Sequence, residues 1–112
     1  MNPPSTHYGK YIKERTGKNI LEKPYGFATY LFEGDYVYIE DIYVDKEARN
    51  NTKASHMADE IAEIAKSKGV NKMLGSVCPS TAGATESLKV LLGYGFKLLS
   101  SEPNMIYFIK EI

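Results

Sequence analysis

A chain of 112 residues is enough for one domain with a real core. Its 14 basic and 14 acidic side chains cancel, which argues against a protein whose main role is to coat nucleic acid or an anionic membrane. The single cysteine, Cys78, excludes an internal disulfide, and two histidines leave no metal-ligand spacing to read. The opening Met1-Asn2-Pro3-Pro4-Ser5 lacks the charged and apolar regions of a signal peptide, and no apolar run reaches membrane-spanning length, so the expectation is a soluble, cytoplasmic protein.

In chain order, Ser5 is suited to cap a short helix carrying Tyr8, Tyr11, Ile12 and Arg15 and stopping at Gly17. A brief extended piece around Ile20 and Leu21 follows. Tyr25 to Phe32 reads as a strand, and Glu33-Gly34-Asp35 as a tight turn into a second strand, Tyr36 to Val44. That strand is apolar on both faces, with Val37 and Ile39 on one and Tyr36, Tyr38, Ile42 and Val44 on the other, so helices are expected on both sides of the sheet. The next helix turns Ala54, Met57, Ala58, Ile61, Ile64 and Ala65 inward, exposes Asp59, Glu60, Glu63 and Lys66, and ends at Gly69. Val70 to Val77 forms a strand and Pro79 to Gly83 a loop. A helix from Ala84 to Leu92 directs Leu88, Leu91 and Leu92 inward and stops at Gly93. Phe96 to Ser100 and Met105 to Lys110 close the chain as two strands joined by Glu102-Pro103-Asn104. A strand-helix-strand unit between hairpins predicts a single α/β (α+β) domain over residues 1–112, with a mixed sheet of about five to six strands.

The most informative segment is the junction Tyr38-Ile39-Glu40-Asp41-Ile42-Tyr43-Val44, then Asp45-Lys46-Glu47-Ala48, then Arg49-Asn50-Asn51-Thr52-Lys53-Ala54-Ser55. A strand, a polar loop and a helix start in that order suit an anion, because the first-turn N–H groups and the positive end of the helix dipole face the loop. These residues resemble the acyl-CoA-binding motif of the GCN5-related N-acetyltransferases, Arg/Gln-x-x-Gly-x-Gly/Ala, with Thr52 at the first glycine and Ala54 at the second. Threonine is stiff where glycine would be permissive. The strand from Tyr38 to Val44 is most similar to that of the diamine and polyamine acetyltransferases. Gly93-Tyr94-Gly95-Phe96 resembles the family's glycine-phenylalanine signature, and the likeness runs over roughly Tyr25 to Lys110, following the family's first strand and helix. It implies a fold of this family with a shortened N-terminus.

That resemblance implies that the backbone at Ile42 and Val44 pairs with the pantetheine of acetyl-CoA, and that Arg49, Asn50, Asn51, Thr52, Lys53, Ala54 and Ser55 wrap its pyrophosphate. Acyl transfer to an ammonium requires removal of a proton. Glu40, expected on the strand face of Ile42 and Val44, is the candidate base, and Asp41, its neighbour in the acidic pair, would hold a cationic acceptor. Glu33, Asp35, Asp45 and Glu47 add negative charge that would attract an amine, although a solvated turn and loop explain them equally. A carboxylate within an apolar strand is costly unless paired or used.

The family's acidic tyrosine falls at Leu91, which cannot protonate a thiolate. Tyr94 is the candidate substitute, with Cys78, Ser87 and His56 as others, each with a structural explanation of its own. The expected activity is therefore acetyl transfer from acetyl-CoA to a primary amine, either polyamine-like or on a protein. The alternative is a catalytically inactive binding or structural module of the same fold. Small size and a sheet edge left uncovered raise the chance of a homodimer.

Overall fold

Thr6 caps the first helix in a computed structural model that describes residues 6–49 and 52–112. Its hydroxyl accepts the Gly9 N–H, and α1 (His7–Thr16) ends on left-handed Gly17, whose N–H closes on Lys13. Ser5, expected as the cap, lies outside the described residues, and the role falls to Thr6. The other elements are β1 (Asn19–Lys23), β2 (Gly26–Glu33), β3 (Tyr36–Val44), a 3-10 turn (Lys46–Ala48), α2 (Lys53–Ser67), β4 (Lys72–Val77), α3 (Ala84–Tyr94), β5 (Lys97–Glu102) and β6 (Met105–Glu111).

The sheet has six strands in the order β1-β2-β3-β4-β6-β5, with β3 and β4 parallel and every other neighbour antiparallel. The expected mixed sheet with flanking helices is what forms. Helices α2 and α3 share one face, where Met57, Ile61, Met73 and Val37 are the largest fully buried side chains. On the other side α1 packs against β1, its capping Thr6 donating to Glu22, with Ile20 buried and separate from the main core.

Several boundaries differ from expectation, β5 among them, which runs on to Glu102 where a turn was expected. Gly93 lies inside α3, and the stop is Gly95 at φ 108°, with the Gly95 and Phe96 N–H groups closing on Leu92 and Leu91. The reversal needs a left-handed residue just before an apolar one that returns to the core, and Phe96, 4% exposed, is that residue. Leu92, expected inward, is 52% exposed, because the inward stripe of α3 follows Leu88 and Leu91. Strand β4 starts at Lys72, since the Val70 N–H is tied to Ala65 at the end of α2.

The register of β3 contains the feature that makes a site. Thr29 pairs with Asp41 while the next residue, Tyr30, pairs with Ile39, so Glu40 is the extra residue of a bulge. A bulge resets the alternation. Ile42 and Val44 therefore pack on the same core as Val37 and Ile39, instead of facing the opposite side as their spacing suggested. The parallel pairing of β3 with β4 runs only from Tyr36–Lys72 to Ile39–Gly75, after which the two strands diverge. Each keeps its outer partner, β2 for β3 and β6 for β4, so a V-shaped gap opens within the sheet.

Candidate active site

Glu40 is the first residue of β3 beyond the last β3–β4 pair, so the bulge stands at the apex of the gap. Its carboxylate turns away from Ile42 and Val44 and meets the Lys18 ammonium. The expected sharing of a face with Ile42 and Val44 is thus corrected, and the bulge is the reason. Asp41, exposed, accepts a hydrogen bond from the Thr29 hydroxyl at 3.3 Å. Across the start of the gap, Tyr38 OH and Ser76 Oγ lie 2.5 Å apart and lash β3 to β4 where backbone pairing ends.

The Lys18 hydrogen bond to Glu40 outweighs desolvation and pushes the lysine pKa above its ordinary value, with Asp41 and Tyr38 adding to the effect. The apex therefore already holds an ammonium against a carboxylate. Lys18, Thr29 and Ser76 were not singled out from the sequence, and the break in apolar phase between Ile39 and Ile42 is the local signal of the bulge that gathers them with Tyr38.

The remaining negative charge is more dispersed than a cluster. Glu33 accepts from Tyr36 OH and Asp35 pairs with Lys72, both at the β2–β3 turn, whereas Asp45 and Glu47 lie past the opposite end of β3. Glu40 and Asp41 are the acidic pair at the gap itself.

Past the gap, β3 leads through the 3-10 turn to α2. Arg49 Nε donates to the Val44 carbonyl at 3.0 Å, and its guanidinium lies 5.8 Å from the Tyr43 ring. Lys53 Nζ stands 5.0 Å from the Tyr25 ring. Thus two cations flank the loop on aromatic supports, and the Val44 carbonyl, expected to meet pantetheine, is held by Arg49. Asn50 and Asn51 lie outside the described residues. Thr52 is the N-cap of α2, and among the described residues its side chain makes no cap hydrogen bond; the N–H groups of Lys53, Ala54 and Ser55 form the helix's first turn, which faces the loop.

Thr52 adopts φ 59°, the one non-glycine residue at positive φ among those described. The left-handed conformation that glycine takes without cost is imposed here on a β-branched residue, at roughly 1–2 kcal/mol. Thr52→Gly relieves that strain and gives back about 0.5–1 kcal/mol in chain entropy. The expected outcome is a modest rise in melting temperature by calorimetry; a fall would show that the threonine side chain contributes more than its backbone costs.

The acid candidates are scattered. Tyr94 OH donates to Asp59 of α2 at 2.6 Å, and burial, reinforced by that bond, pushes its pKa well above the ordinary value. It joins α3 to α2. Leu91 reaches toward the sheet: a Cβ added at Gly75, the last β4 residue paired with β3, would lie 2.9 Å from Leu91 Cδ2. Cys78 follows β4, and hydrogen bonds from Ser80 and Thr81 pull its pKa below the ordinary value. His56 Nε2 lies 3.5 Å from Thr52 Oγ1, and Ser87 is exposed on α3. Among the described residues no group of side chains could hold a metal ion, and no helix is long and apolar enough to cross a membrane.

The sequence model of the acetyltransferase (GNAT) family matches residues 2–96. Among solved structures, the chain is similar to the PaiA N-acetyltransferase from Thermoplasma acidophilum in complex with coenzyme A. The TM-score is 0.74 at 15% identity, over 90% of this chain and 66% of that one. It is also similar to a putative streptothricin acetyltransferase from Bacillus anthracis in complex with acetyl coenzyme A, with TM-score 0.73, 19% identity, and 96% and 69% of the two chains covered. A third likeness is a putative acetyltransferase of the same family from Desulfovibrio desulfuricans, with TM-score 0.76, 11% identity, and 91% and 76% covered. The chain thus spans just under two thirds of the first of these proteins. No curated protein matches the sequence.

Proposed function

Because the chain belongs to the acetyltransferase (GNAT) family, we propose that it moves an acetyl group from acetyl-CoA to a primary amine. The observation that carries this reading is the gap between β3 and β4, with Glu40 at its apex and the start of α2 at its far end. A long, bent ligand with an anionic end suits it. The β3 edge from Glu40 to Val44, unpaired with β4, can receive the amide groups of pantetheine, with Ile42 and Val44 as the residues that meet them. The pyrophosphate goes to the first-turn amides of α2 at Lys53, Ala54 and Ser55 and to Arg49 and Thr52; Asn50 and Asn51 share this assignment on sequence alone. Binding requires Arg49 to leave the Val44 carbonyl and turn to phosphate, an exchange of a neutral acceptor for a charged one.

At the apex, Glu40 takes a proton from the acceptor ammonium, and the freed amine attacks the thioester carbonyl. Asp41 holds positive charge elsewhere on the acceptor. The Glu40-Asp41 pair and the acidic, partly exposed apex favour a polyamine-like amine over a neutral one. A thiolate with pKa about 8.5 leaves readily near neutral pH, so water can return its proton. Tyr94, committed to Asp59, is the least supported part of the catalytic set and serves in this proposal as a strut between helices.

A second reading, an inactive module of the same fold, is favoured by Leu91, an apolar side chain beside the apex at Gly75. Calorimetric titration with acetyl-CoA, followed by a transfer assay with spermidine and with peptide amines, separates the two. Micromolar binding with transfer supports the enzyme, and binding without transfer supports the module. Arg49→Ala is expected to weaken acetyl-CoA binding by about 10- to 100-fold, the worth of a charged hydrogen bond to phosphate, with an unchanged circular dichroism spectrum. Unaltered affinity would sink the pyrophosphate assignment.

A further inference from the structure

The Lys18 ammonium lies on the Glu40 carboxylate, at the first residue past the last β3–β4 pair, where an acceptor amine would have to stand. The local chain makes this contact. Gly17, left-handed at φ 77°, turns the chain out of α1, and Lys18 immediately precedes Asn19, the first residue of β1. Asn19 pairs with Tyr30, and Tyr30 pairs with Ile39, so the start of β1 lies in the same cross-strand row as the end of the β3–β4 pairing. The side chain then crosses β2 to reach the bulge.

We propose that Lys18 is an internal acetyl acceptor, modified in cis by the same gap. The inference rests on the reading of Glu40 as the base and goes beyond it by naming an acceptor within the chain. The step balances without a further reactant. Glu40 accepts a proton from the Lys18 ammonium, the ε-nitrogen lone pair attacks the thioester carbonyl, the C–N bond forms and the C–S bond breaks. CoA leaves as the thiolate and is protonated from solvent. The product amide carries no charge, so the ion pair is lost and Glu40 opens to an external ammonium. Self-acetylation thereby converts an occupied apex into an open one.

Lys23 provides an internal control. It is paired to Glu60 at 2.7 Å and its side chain is 28% exposed against 29% for Lys18, but it sits at the other end of β1. Uncatalysed acetylation would treat the two alike. The test is incubation of the purified protein with acetyl-CoA and no added amine, followed by intact-mass and peptide mass spectrometry. The expected result is a single acetyl group on Lys18, with a first-order rate constant that is unchanged on dilution of the protein. Lys23 stays unmodified and Lys18→Arg prevents the addition, while Glu40→Gln slows labelling of Lys18 by at least about ten-fold.

Equal labelling of Lys18 and Lys23, or a rate constant that scales with protein concentration, overturns the inference. So does an unmodified Lys18 in protein that binds acetyl-CoA and acetylates spermidine, an outcome that leaves the proposed function standing. Failure of binding, of transfer and of labelling together would remove both.

Discussion

Replacing Glu40 with glutamine is expected to lower kcat for transfer to an added amine by about 10²- to 10⁴-fold, the range that a positioned general base contributes, while acetyl-CoA affinity stays essentially unchanged. Glutamine keeps the length of the side chain and an acceptor oxygen for Lys18 but cannot take a proton. The loss of the Lys18 ion pair is of little consequence for the fold, because partly exposed pairs contribute roughly 0–1 kcal/mol. The deficit should shrink as pH rises and solvent alone deprotonates the amine. A variant as fast as the parent from neutral to alkaline pH would remove Glu40 from the mechanism, and a variant that fails to bind acetyl-CoA would assign it to the architecture of the gap.

Ile61→Ala is expected to carry the largest cost in stability, about 2–5 kcal/mol. Ile61 has no exposed surface and lies on the buried stripe of α2 with Met57, Ala58, Ile64 and Ala65, over the strands that carry Val37, Ile39 and Met73. Alanine leaves a cavity that this sheet cannot collapse to fill, because neighbouring strands are held in register by their backbone bonds. Against a total of roughly 5–15 kcal/mol for a domain, the variant should unfold well below the parent in urea and by calorimetry. Ile61→Val, which removes one methyl group, should cost only about 0.5–1.5 kcal/mol. Equal midpoints for parent and alanine variant would mean that α2 is not anchored through this side chain. The cost bears on function as well, since α2 presents the first-turn amides on which the pyrophosphate assignment depends.

Much of the architecture was legible from apolar spacing. The inward stripe of α2, the hairpin turn at Glu33-Gly34-Asp35 and the parallel β3–α2–β4 unit follow from local rules, and each formed close to its expected bounds. The stop of α3 was missed by a short distance. Either Gly93 or Gly95 can adopt the left-handed conformation, and only the return of Phe96 to the core selects the second. The apex was half legible. Glu40 and Asp41 are conspicuous in an apolar strand, but the odd-numbered apolar set ending at Ile39 and the even-numbered set starting at Ile42 look like two faces until the strand is paired with its neighbour. Lys18 carried no local signal, being a charged residue after a helix stop.

By itself, then, the sequence determined the elements, the family motif and the acidic pair, because those depend on side-chain periodicity and on short-range backbone preferences. The tertiary structure decided which face each residue of β3 serves, where β3 and β4 part, and that a lysine from the α1–β1 junction meets the candidate base. These are matters of strand register and of contacts between residues far apart in the chain, Lys18 and Glu40 among them, and such contacts exist only once the sheet has formed.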